Sequence, residues 1–169
     1  ISMKSLKENF QKAHIVIVGS GIIGKFNALE LSELGFCVTI IDPAQHKNSS
    51  NAALGLLMGN MYQKRKGRGW ALRQKSIELW PKWINFLREF NVELNIKTPL
   101  IQLTTDEKRF KKLEQFINEI DNQDLKILEE NSIFIKNINK AFQTRKIKGM
   151  ISFKDGRLNV TLLLETLDK

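Results

Sequence analysis

The chain has 169 residues, 42% hydrophobic and 27% charged, and its 27 Lys and Arg against 18 Asp and Glu give a net charge of +9. These proportions exclude a disordered or collagen-like chain and allow one ordinary core. A single cysteine, Cys37, excludes a disulfide framework or a multi-cysteine zinc site and favours a reducing, cytoplasmic setting.

No run of about 18 apolar residues occurs, so no membrane-spanning helix is expected. Residues 1–11 are polar and basic, without the apolar centre of a signal peptide. The start at Ile1 and the stop at Lys169, just after a helix-like pattern, are what a fragment would show. Basic residues are scattered, the densest groups being Lys64-Arg65-Lys66 with Arg68, Lys111-Lys112, and Arg145-Lys146 with Lys148. No aromatic-interleaved motif accompanies them, so the expectation is a basic solvated surface rather than nucleic-acid binding.

The first predicted element is His14-Ile-Val-Ile-Val18, a β-branched run that reads as a parallel strand buried on both faces. It runs into Gly19-Ser20-Gly21-Ile22-Ile23-Gly24, and residues 22–34 then follow a helical pattern that Gly35 stops. Residues 36–41 form a second apolar strand, ended by Asp42-Pro43, with Cys37 expected as a small buried hydrophobe. Polar loop residues that include His46 lead to Ala52-Ala53-Leu54-Gly55-Leu56-Leu57-Met58-Gly59, whose small residues let a backbone come close to a neighbour.

From Trp70 the spacing of Ile77, Trp80, Ile84 and Leu87 predicts a helix that Pro81 should kink or divide, with Trp70, Trp80 and Trp83 in core packing. Residues 98–105 read as a strand. Asp106 caps a further helix with Phe110, Leu113, Ile117 and Ile120 on one face. Residues 146–153 can form a strand, Asp155-Gly156 a turn, and Asn159 the cap of a last helix carrying Leu162, Leu163 and Leu167. The expected architecture is α/β: a Rossmann-like βαβ nucleotide-binding part over residues 12–69, the start of an α+β substrate region over 70–153, and a return toward the first part over 154–169.

The glycine turn carries the chemistry. Gly19 permits the sharp turn, Gly21 lets a pyrophosphate approach the backbone, and Gly24 lets the helix pack against the strands. The first-turn amides, with Ser20, Ile22 and Ile23 among their carriers, lack intrahelical partners and face an anion along the helix dipole. Asp42 lies 18 residues beyond Gly24 and can accept hydrogen bonds from a ribose diol while repelling a 2′-phosphate. This spacing alone fits FAD or NAD.

The extended stretch Gly19-x-Gly21-x-x-Gly24-x-x-x-Ala28-x-x-Leu31-x-x-x-Gly35-x-x-Val38-x-x-x-Asp42 resembles the fingerprint of FAD-dependent oxidoreductases. Three more segments narrow the resemblance to the D-amino-acid oxidase family, which includes glycine and sarcosine oxidases. They are Ser49-Ser50-Asn51-Ala52-Ala53-Leu54-Gly55-Leu56-Leu57, Ser76-Ile77-Glu78-Leu79-Trp80-Pro81, and Asp155-Gly156-Arg157-Leu158-Asn159 with residues 162–164. Departures are Asp42 for the commoner Glu, Asn159 for Asp and Val160 for Pro.

The resemblance implies FAD as cofactor, Ser50 near its pyrophosphate, and Ala53 and Gly55 near the isoalloxazine. It implies oxidation of the amine C–H of glycine, sarcosine or a D-amino acid by hydride transfer to flavin N5, with dioxygen or another acceptor taking the electrons. It places the substrate-binding residues beyond Lys169, so the fragment alone is expected to be inactive. No catalytic residue is assigned: His14 opens a strand, His46 lies in a loop, and no metal-ligand spacing occurs. Two other readings stay open, a tRNA-modifying flavoenzyme of the same family and a dinucleotide-binding module without catalysis.

Overall fold

A computed structural model describes residues 13–43, 49–139 and 146–169. His46 with its polar neighbours, and residues 1–11, lie outside these. The chain divides into two compact units: Ile1–Gly55 with Asn85–Leu94 and Asn159–Lys169, and Leu56–Ile84 with Asn95–Leu158.

In the first unit β1 (His14–Val18) pairs in parallel with β2 (Cys37–Ile41), His14 opposite Cys37 and Val18 opposite Ile41. The connection is α1 (Ile22–Glu33). Its end is the one the sequence predicts: Gly35 takes φ 88°, its N–H reaches the Ser32 carbonyl, and the Phe36 N–H reaches that of Leu31. This paired closure satisfies carbonyls that the last helical turn leaves open, and it needs a residue free to adopt positive φ. The expected burial of β1 on both faces does not hold. Val16 is 52% exposed, Val18 83% and Ile41 54%. Two strands are too few to enclose their own apolar faces. Cys37 is exposed rather than buried, because it opens β2 at the margin of this narrow sheet. The last helix of the chain, α5 of this unit, spans Val160–Thr166, and the Asn159 side chain caps it by accepting the Leu162 N–H at 3.2 Å.

The second unit holds two antiparallel three-stranded sheets. The first has β3 (Leu56–Leu57) and β4 (Ile96–Lys97) on either side of β8 (Gly156–Leu158). The other has β5 (Leu100–Thr104) and β6 (Leu125–Leu128) flanking β7 (Lys148–Ser152). Between β3 and β4 in sequence runs α2 (Arg68–Leu87), an unbroken helix that contains Pro81 without dividing. Trp70, Trp80 and Trp83 are half-buried rather than enclosed.

Helix α3 (Glu107–Glu119) starts where expected, with Asp106 accepting the Lys108 and Arg109 N–H groups at 2.8 and 3.2 Å. Its apolar face puts Leu113 and Phe116 into a core with Met61, Leu125 and Met150, and Ile117 and Ile120 pack at its margin. The short helix α4 (Ile133–Asn139) brings Ile135 against Leu128, Ile147 and Ile151.

Asp155, predicted only as part of a turn, is the buried anchor of this unit. It is 2% exposed, and its carboxylate accepts N–H groups from Gly59, Asn60 and Met61 at 2.8, 2.9 and 2.7 Å. Three successive amides on one carboxylate fix the loop after β3 to the loop before β8. Replacing Asp155 by Ala orphans all three, at roughly 1 kcal/mol or more each. Urea denaturation of Asp155→Ala is expected to show a loss of about 3 kcal/mol, and a loss below about 1 kcal/mol would refute this anchoring role.

Candidate functional site

The site candidate lies in the first unit, where β1 ends and α1 begins. Gly19 takes φ 104°, a conformation that side chains strain to adopt, and its N–H donates to the Ile41 carbonyl at 2.8 Å. The turn is thereby tied to the end of β2. A Cβ on Gly24 would stand 2.0 Å from the Gly19 carbonyl oxygen, so only glycine lets the helix start this close to the turn. Gly21 precedes the helix in extended conformation, and a Cβ there would lie 3.1 Å from the Ser50 Oγ.

Two side chains from later in the sequence hold this turn. Asp42 Oδ2 accepts the Ser20 N–H at 2.7 Å, and Ser50 Oγ accepts the Ile22 N–H at 2.9 Å. Each is anion-compatible chemistry at a helix start, where partial positive charge accumulates. The first backbone bond of α1 runs from the Lys25 N–H to the Gly21 carbonyl. Among the described residues, the N–H groups of Gly21, Ile23 and Gly24 have no acceptor. Three acceptor-free donors thus cluster around a turn kept bare by glycine, a cradle of the kind that can meet an anionic group.

The structure therefore brings Gly19, Ser20, Gly21, Ile22, Ile23, Gly24, Asp42 and Ser50 together. Ala53 and Gly55 follow in the same unit. The Ala53 N–H bonds to the Ser50 carbonyl at 3.1 Å, and Gly55 takes φ 68°. His14 is engaged elsewhere, its Nε2 2.8 Å from the Thr39 hydroxyl across the strand pair. No group of potential metal ligands occurs among the described residues.

Sequence reasoning missed Lys25. This side chain, next after Gly24, is buried, with its ammonium on the Asp168 carboxylate and the Leu164 carbonyl at the end of α5. A cation opposite the last carbonyls of a helix is favourably placed. The only signal in the sequence was a charged residue in the first turn of a helix that otherwise reads as tightly packed. Also unforeseen is a cavity of about 660 Å³ within the second unit, whose walls include Leu56, Leu57, Met58, Trp80 and Arg73. Its size and mostly apolar lining suit a small organic molecule.

The chain matches the family described as "FAD dependent oxidoreductase" over residues 14–168. No curated protein matches it. Among solved structures it is similar to the glycine oxidase from Bacillus cereus ATCC 14579, at 19% identity and TM-score 0.70 over 90% of this chain and 43% of that one. The iminodiacetate oxidase from Chelativorans sp. BNC1 gives 20% identity and TM-score 0.72 over 90% and 42%. The glycine oxidase from Geobacillus kaustophilus gives 22% and 0.68 over 90% and 42%. The chain thus spans less than half the length of these structures, and the likeness is one of fold.

The cradle makes a graded prediction for FAD binding, measured by quenching of flavin fluorescence. Gly24→Ala forces the helix away from the turn and is expected to weaken binding at least 100-fold. Ser50→Ala removes one acceptor and one donor, a loss of about 1.4 kcal/mol or tenfold. Equal effects of the two would contradict the steric role given to Gly24.

Proposed function

Because this chain belongs to the FAD dependent oxidoreductase family, we propose that it holds FAD at the turn from Gly19 to Gly24 and serves the oxidation of the amine C–H of a small amino acid, glycine, sarcosine or a D-amino acid. The observation that carries this reading is the set of three acceptor-free amides on Gly21, Ile23 and Gly24, flanked by Ser50 and Asp42. These residues fit the group: the amides would donate to the pyrophosphate. The Ser50 hydroxyl accepts from Ile22 and so keeps its own proton to donate to a phosphate oxygen.

Asp42 is held by Ser20 at the end of β2, the position from which a carboxylate meets a ribose diol. Ala53 and Gly55 would let the isoalloxazine lie close to the backbone. When bound, FAD supplies the two-electron acceptor for the hydride, and dioxygen or another acceptor takes the electrons on.

Similar structures with glycine oxidase and iminodiacetate oxidase in their names support an amine-bearing acid as substrate class. So do an L-proline dehydrogenase from P. horikoshii and an L-amino acid deaminase from Proteus myxofaciens. The purified full-length protein should be yellow with bound flavin and should release peroxide, or reduce an artificial dye, with at least one of glycine, sarcosine and the D-amino acids. A colourless protein that takes up no added FAD would overturn the cofactor assignment. A flavin-loaded full-length protein inert to the whole panel in both assays would overturn the substrate class and leave the cofactor standing.

A further inference from the structure

Between Asp42 and Glu78 the sequence holds no acidic residue and seven Lys or Arg. Five of the seven, Lys64, Arg65, Lys66, Arg68 and Arg73, fall on the loop after β3 and the start of α2, all within the second unit. The structure divides them into two kinds.

Arg65 and Arg73 turn inward. The Arg65 guanidinium lies 5.1 Å from the Trp70 ring centre and 5.4 Å from that of Phe116, and donates to the Asn60 carbonyl at 2.8 Å. Arg73 lies 3.9 Å from the Tyr62 ring and donates to the Met58 carbonyl at 2.7 Å. Tyr62 and Trp70 stack on each other with centres 6.4 Å apart. This stack of two rings between two guanidinium groups pins both ends of the loop.

Lys64, Lys66 and Arg68 instead face solvent, every second residue, with no ion-pair partner among the described residues. Three other cations of the unit have acidic partners: Lys75 with Glu78 at 3.1 Å, Lys148 with Glu107 at 3.4 Å, Lys154 with Asp124 at 2.8 Å. The exposed cations of α3, Lys108, Arg109, Lys111 and Lys112, share their helix with Glu107, Glu114 and Glu119. The loop lies in residues 43–77, the longest stretch of the sequence without an acid, so its cations repel one another until an anion arrives.

We propose that the Lys64–Lys66–Arg68 loop is a binding surface for the phosphate backbone of single-stranded RNA, a role beyond the flavin chemistry and independent of it. Exposed cations at every second position of an anchored loop offer successive contacts to a repeating anion. The Lys-Arg-Lys-Gly-Arg-Gly sequence supplies no exposed apolar side chain to enter a bilayer, which favours a polynucleotide over a lipid surface. The basic residues look scattered along the whole sequence; what sets these apart is the length of the acid-free stretch around them and the ring-stacked frame.

The test uses the whole chain and a fluorescein-labelled 20-nucleotide oligouridylate, read by anisotropy at several salt concentrations, with phosphatidylserine-containing vesicles in parallel. Three phosphate contacts predict a slope of log affinity on log salt of about −2. Lys64→Ser/Lys66→Ser/Arg68→Ser should weaken binding at least tenfold and flatten that slope. Lys108→Ser/Lys111→Ser/Lys112→Ser, which removes the same charge from α3, should change affinity less than twofold. Lys66→Glu alone should weaken it at least threefold, a milder check should the triple variant misfold. Equal losses in the two triple variants would reduce the effect to net charge and overturn the proposal. So would absence of RNA binding, or loop-dependent binding to vesicles tighter than to the oligonucleotide.

Discussion

The geometry of the candidate site depends on one close approach, the start of α1 against the carbonyl of Gly19. With a Cβ of Gly24 placed only 2.0 Å from that oxygen, no other residue lets the helix begin there. Once it does, Gly19 can reach the Ile41 carbonyl, Asp42 can reach Ser20, and Ser50 can reach Ile22. Strand, turn, helix and second strand are therefore mutually fixed by backbone groups. The donors left over, on Gly21, Ile23 and Gly24, are consequences of that closeness rather than separate features.

Much of this was legible in the residues because glycine, proline and capping side chains act locally. Gly35 ends α1, Asp106 opens α3 and Asn159 opens α5 as their types dictate. The tie from Ser50 to Ile22 spans 28 residues, and no local rule points to it; resemblance placed Ser50 at the turn, and the hydrogen bond shows how it is held. The role of Asp155 was misread for a similar reason. As a dipeptide Asp155-Gly156 signals a turn, but its carboxylate serves amides nearly a hundred positions earlier. The strands β3 and β4 are two residues each and carry no periodicity to detect. The burial assigned to β1 failed because an apolar strand records what it suits, not what covers it.

The two units hold themselves together by different means. In the second, apolar side chains of α3 meet a sheet, and arginines stacked on rings fix a loop. In the first, strands and glycines set the backbone, and much apolar surface stays in contact with solvent.

The pairing of Lys25 with Asp168 joins residues 143 positions apart, within a unit assembled from three separate stretches of chain. It gives the folding of this protein an order in time. As the polypeptide leaves the ribosome, β1, α1 and β2 emerge well before Asp168, so the Lys25 ammonium has no counter-charge until the 143 positions that separate the two residues have been translated. Until then that side chain must stay hydrated, and the helix that carries the anion cradle cannot settle into its final bed. The glycine turn is thus made long before the residue that completes the bed of its helix.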